Sequence, residues 1–82
     1  MSAREMFVQC EFYLDLETNN TRIVYSKDIN DKDTFAYIDS EIILFDKETR
    51  NIYLTNKDYI TLKELQAINK QVEELRWNDV KD

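Results

Sequence analysis

A chain that folds back on itself needs backbone positions with positive φ, and glycine is their usual occupant because it has no Cβ to clash. This sequence has no glycine and no proline. Average usage, about 7% and 5%, would supply roughly ten of the two over this length. Its turns must therefore come from side chains that bond their own backbone. Two stretches offer such turns. "DLETNN" at 15–20 and "DKETRN" at 46–51 share the pattern Asp-x-Glu-Thr-x-Asn, and each leads towards an isoleucine. Asparagine tolerates the left-handed region better than most residues, so Asn20 and Asn51 are the expected positive-φ positions. Asp15 and Asp46 are expected to accept the N–H two residues on, and the threonines to do likewise. Each string then marks a β-hairpin. Lys27-Asp28 and Lys57-Asp58 recur after the strings; duplication and convergence on good turn chemistry both account for the likeness.

The flanking segments suit that reading. Over residues 7–16, Val8, Cys10, Phe12, Leu14 and Leu16 alternate with Gln9, Glu11, Tyr13 and Asp15, the period of a half-buried strand. "TRIVYSK" at 21–27 is β-branched and aromatic and reads as its partner. "FAYIDSEIILF" at 35–45 and "NIYLT" at 51–55 flank the second string. "KDINDKD" at 27–33 is the connecting loop. The tail changes period: Thr61 and Glu64 form a capping box, and Leu62, Leu65, Ile68, Val72 and Leu75 make one apolar stripe, predicting a helix over 62–77. The expectation is one α+β domain over 1–82: two antiparallel hairpins in a sheet of about four strands, with the C-terminal helix packed on one face against Val8, Cys10, Phe12, Leu14 and the inward residues of "EIILF".

Composition narrows the function classes. Apolar residues at 43% and charged residues at 34% fit a globular fold. No apolar run approaches the roughly 20 residues of a membrane span, and the start "MSAREMFVQC" lacks the pattern of a signal peptide. An intracellular, cytoplasmic setting is expected, and the single cysteine, Cys10, agrees with it. Abundant Asn, Ile, Lys and Tyr have AT-rich codons and suggest a low-GC bacterium, or a phage or mobile element living in one.

With no histidine there is no histidine base, nucleophile partner or metal ligand. Without glycine there is no phosphate-cradling loop. The chain is expected not to be an enzyme, and to need no metal and no cofactor. Asp28, Asn30 and Asp39 fall at positions 1, 3 and 12 of a calcium-loop spacing, but Lys32 replaces a ligand and Asp33 stands where glycine makes the turn. Cys10 reads as a buried structural thiol. The tyrosines Tyr13, Tyr25, Tyr37, Tyr53 and Tyr59 read as sheet packing rather than a base-stacking surface, because the accompanying cations are missing. "TLKELQAI" resembles the opening of a helix-turn-helix only in pattern, with one helix and acidic flanks.

Two features point to a partner. The chain carries a net charge of −6, and residues 28–48 hold Asp28, Asp31, Asp33, Asp39, Glu41, Asp46 and Glu48 against Lys32 and Lys47. Such a surface repels nucleic acid and anionic membrane and attracts a basic protein. Trp77 projects well off the apolar stripe if the helix reaches it, which marks a partner or homodimer contact; if the helix ends earlier, the indole folds back onto the body. The candidate partner-binding residues are Asp28, Asp31, Asp33, Asp39, Glu41 and Trp77. The expected function is a small acidic regulator or inhibitor that binds a protein, phage- or mobile-element-encoded, whose carboxylates stand in for nucleic-acid phosphates. The alternative is an assembly subunit that self-associates through an edge strand or the helix back at Trp77.

Overall fold

The computed structural model describes residues 1–18, 21–29 and 39–77. The elements are α1 (Ala3–Gln9), β1 (Tyr13–Glu17), β2 (Arg22–Ile29), β3 (Asp39–Asp46), β4 (Asn51–Thr55) and α2 (Leu62–Glu74). The strands form one open antiparallel sheet in the order β1-β2-β3-β4. The expected α+β class, with two hairpins in one four-stranded sheet and a C-terminal helix, is what the chain adopts. An N-terminal helix is added to it. The strand β2 continues to Ile29 and pairs with β3 through Ile29↔Asp39, so the expected loop start at residue 27 is in fact strand.

The first expected strand is corrected. Of the span 7–16 only residues 13–16 are extended, as part of β1, and residues 3–9 are helical. A capping box at the start decides this. Ser2 Oγ accepts the Glu5 N–H at 3.2 Å, and Glu5 Oε1 accepts the Ser2 N–H at 3.1 Å. Ala3 and Phe7, four residues apart, then share the buried face of α1. Val8 and Leu16, assigned to the core by alternation, are exposed, while Phe12 is buried and Leu14 packs at the core margin.

Positive φ falls on Glu11, Arg50, Asn56 and Arg76 among the described residues. Both helices end the same way. Cys10 caps α1, Glu11 takes φ 69°, and the amides of Glu11 and Phe12 bond the carbonyls of Val8 and Phe7 at 2.9 Å. Leu75 caps α2, Arg76 takes φ 60°, and the amides of Arg76 and Trp77 bond Glu73 and Val72 at 3.0 and 3.1 Å. This is the Schellman arrangement, with a charged residue where glycine usually sits.

The repeated string makes two different turns. In the second, Asp46 Oδ1 accepts the Glu48 and Thr49 amides at 2.9 and 3.2 Å, as its spacing implies, and these bonds hold its carboxyl below the usual range. Positive φ falls on Arg50, not on Asn51, which already pairs with Asp46 as the first residue of β4. In the first string Asp15 stays in the strand at a bulge and accepts Ser26 Oγ at 2.9 Å. Thr21 and Arg22 are extra residues between the string and its isoleucine. Thr18 Oγ1 accepts the Arg22 amide at 2.8 Å, and Asn20 lies outside the described residues. Arg50→Gly should therefore stabilise the fold by about 1 kcal/mol, because a non-glycine residue in this region costs that much. Asn51→Val should be tolerated, since a β-branched residue suits a strand. Denaturant midpoints of the two variants check both outcomes.

The core is aromatic. Phe7 stacks on Tyr25 at 3.9 Å between centroids and meets Phe12 and Phe45 edge-on, each at 6.1 Å. Ile23, Ile43, Ala67 and Ile68 complete it. Tyr25 Oη donates to Gln71 Oε1 at 2.7 Å, and burial, with Glu74 and Glu17 adding, pushes its pKa up to about 12. The helix α2 starts as expected: Thr61 Oγ1 accepts the Glu64 amide at 3.1 Å and Glu64 Oε1 accepts the Thr61 amide at 3.0 Å. Its buried line is Glu64, Ala67, Ile68 and Gln71; of the expected stripe, Ile68 is buried and Val72 and Leu75 pack at the core margin, while Leu62 and Leu65 are exposed. The cause is α1. Ala67 is fully buried, and Glu74 Oε2 accepts the Ala3 amide at 2.8 Å. These contacts turn α2 towards α1 and leave its other flank bare.

Candidate functional site

Strand alternation divides the acidic stretch. Asp28 stands on the sheet face opposite the helices, where its Oδ1 accepts Tyr13 Oη at 3.2 Å and Ser40 Oγ at 3.0 Å. Asp46 shares that face, in register with Arg22. Glu41 is on the helix side, bonded to Lys57 Nζ at 2.6 Å. Asp39 opens β3 opposite Ile29. Asp31 and Asp33 lie outside the described residues, as does Asn30 of the calcium-loop spacing. Trp77 follows the end of α2 rather than standing on its back. The Schellman turn swings the indole onto Phe45, 6.2 Å between centroids, where it is partly buried at the core margin.

Glu41 belongs to a charge clasp that sequence reading missed. Lys57 Nζ bonds Glu41 at 2.6 Å and Glu64 at 3.0 Å, with the Lys57 and Glu64 side chains only 3% and 6% exposed. It also lies 5.3 Å from the Phe12 ring centroid. Burial alone would raise the Glu64 carboxyl, but the Thr61 amide and the Lys57 ammonium outweigh it and hold it below its usual value. Burial alone would lower Lys57; its bonds to both carboxylates outweigh that and raise it. The clasp therefore stays charged and ties β3, the loop after β4 and the start of α2 together. It borders a cleft of about 240 Å³ that Lys27 and Tyr59 also line. Cys10, the C-cap of α1, is half-buried, and burial, with the Glu64 charge adding, raises its thiol pKa. Among the described residues no group of three or more cysteine, aspartate or glutamate side chains is placed to hold a metal ion.

The face of the sheet away from the helices carries a second arrangement. Leu16, Val24, Leu44 and Tyr53 are successive cross-strand partners, forming one row over all four strands. A parallel row holds Tyr13, Ser26, Ile42 and Thr55. Leu16, Tyr13 and Tyr53 are exposed. Asp15, Asp28 and Asp46 border the rows. The unbroken apolar run "IILF" signals this face, because a strand that is apolar at every position needs cover on both sides.

Fold and surface together define a small α+β domain with helices on one side of its sheet and an apolar, acid-bordered face on the other. No family model, no curated protein and no solved structure matches the chain. Among the described residues no helix is long and apolar enough to cross a membrane.

Proposed function

We propose that the chain is a non-catalytic protein-binding regulator that takes a basic partner on the open face of its sheet. The row Leu16–Val24–Leu44–Tyr53 carries this reading. An apolar centre inside a charged border is the anatomy of a protein interface, and a bare tyrosine is an effective anchor because it buries much area for few rotatable bonds. The border carboxylates Asp15, Asp28 and Asp46 select a partner with cations around an apolar contact. Asp28 is thus kept from the sequence-derived set. Glu41, engaged in the clasp, and Trp77, engaged with Phe45, serve the fold. Phosphate mimicry is the limiting form of this reading, in which the carboxylates dominate the contact. The codon-biased composition fits a phage or mobile-element regulator.

A photo-reactive residue at position 53, introduced in cells of the source organism, should capture a foreign protein, and one at exposed Arg4 on α1 should not. With the captured partner, Asp28→Lys should slow association and weaken its salt dependence, whereas Tyr53→Ala should speed dissociation. Capture from position 4 and not from 53 overturns the reading. A partner indifferent to Tyr53→Ala but strongly salt-dependent selects the phosphate-mimic form.

A further inference from the structure

The two edges of the sheet are protected very differently. The β1 edge carries Asp15 and Glu17 and is bent by a bulge between Leu14 and Leu16, both devices that discourage further strand pairing. The β4 edge has neither. It pairs with β3 in unbroken register from Asn51↔Asp46 to Thr55↔Ile42, and its sequence, Asn-Ile-Tyr-Leu-Thr, bears no charge. All five residues are exposed, with Ile52 at 36%, Tyr53 at 50% and Leu54 at 41%. In a chain of net charge −6 this is a neutral, regular and apolar template strand.

We infer that two copies of the chain pair through β4, antiparallel about a two-fold axis near Tyr53, into one continuous eight-stranded sheet. Three features select a second copy as the occupant. First, antiparallel pairing of this strand with itself opposes no like charges: about Tyr53 it sets Ile52 against the other copy's Leu54, and Asn51 against its Thr55. An acidic body that repels its own copies elsewhere can meet them here. Second, Leu65 on α2 is 45% exposed. It lies seven residues before half-buried Val72, on the flank away from the one that meets α1. A lone peptide strand added to β4 would leave that flank bare. A second copy brings its own α2 to the same side of the extended sheet. Third, Ile52, Tyr53, Leu54 and Leu65 of both copies offer on the order of 700 Å² of exposed surface, and the strand backbone and its flanks bring this towards the low end of specific interfaces. An interface of that size falls with transient rather than permanent complexes. The pairing also continues the row Leu16–Val24–Leu44–Tyr53 into its symmetry mate, doubling the open face.

This inference rests on the β4 edge and stands or falls separately from the open-face reading. Sedimentation of the purified full chain over micromolar to millimolar concentrations tests it. The expected result is a concentration-dependent shift from 9.9 kDa to twice that mass, with β4 amide exchange slowing in step. Leu54→Lys, which puts like charges beside the two-fold, and Leu65→Glu should each raise the dissociation constant roughly tenfold or more, with circular dichroism unchanged. Leu16→Lys, on the opposite edge, should not change it. A monomer throughout the range overturns the inference. So does a dimer that yields to Leu16→Lys but not to Leu54→Lys. Capture from position 53 separates the two proposals by mass: a second copy speaks for β4 pairing, a foreign protein for the open face.

Discussion

Replacing Lys57 with methionine should destabilise the fold by about 3–5 kcal/mol, the cost of leaving buried charge without its partner. A methionine side chain fills most of the lysine's volume, so packing is not what is lost. The Glu64 and Glu41 carboxylates would lose the ammonium that bonds them both, leaving Lys27 in the lining of the same cleft. Restoring neutrality should recover most of the loss: adding Glu41→Leu and Glu64→Gln to the Lys57→Met chain removes both stranded charges, and the glutamine amide can still cap Thr61. The pH dependence gives an independent readout. In the native chain the folded pKa of Glu64 is depressed, so its contribution is present above the unfolded value of 4.5 and lost as pH falls through the folded value. The folded pKa of Lys57 is raised, so its contribution is fully present below 10.5 and lost as pH rises through the folded value. The clasp therefore works across the window from about 4.5 to 10.5. In Lys57→Met the acid limb should reverse, with stability rising as Glu64 takes up a proton. Urea titrations at pH 4 and pH 7 decide this; a variant as stable as the native chain at pH 7 would show that the clasp is solvated.

The elements that were legible before the structure are those whose signals are local. The Thr61–Glu64 capping box and the apolar period that follows place the start of α2 on their own, and Asp46 forms its turn as its spacing implies. What escaped depended on the rest of the molecule. The helix α1 buries only Ala3 and Phe7, too few positions for a helical period to outweigh the alternation that runs from Val8 to Leu16. Its Ser2–Glu5 capping box was present in the letters and marks the helix once that alternation is set aside. Two of the positive-φ positions escaped because a helix end fixes them at Glu11 and Arg76, where the following Phe12 and Trp77 must turn into the core. Packing there outweighs the preference of asparagine. The clasp and the open face join residues from separate elements, so both need the register of the sheet. Once β2 and β3 are aligned, Glu41 and Asp28 fall on opposite sides of it.

The Phe7→Ala substitution should cost about 3–5 kcal/mol, the range for deleting a fully buried aromatic side chain, out of a total that for a domain of this size is rarely above about 10 kcal/mol. Phe7 has no exposed surface and touches the rings of Phe12, Tyr25 and Phe45. Its removal opens a cavity where α1 meets all three rings. Val8→Ala, one residue on, should be almost silent, because Val8 is 57% exposed. The pair distinguishes helix from strand at the N-terminus: in an alternating strand over 7–16, Val8 would be the inward residue and Phe7 the outward one, and the two effects would exchange. A spectroscopic consequence accompanies the stability loss. Phe7 stacks directly on Tyr25, whose pKa near 12 comes chiefly from burial. Uncovering that ring should move its titration back towards 10, the ordinary tyrosine value, read as phenolate absorbance at alkaline pH. Because the folded pKa of Tyr25 lies above its unfolded one, native stability should begin to fall as pH rises past 10. In Phe7→Ala that alkaline decline should flatten, so the two proteins should differ most near neutral pH and least near about pH 12.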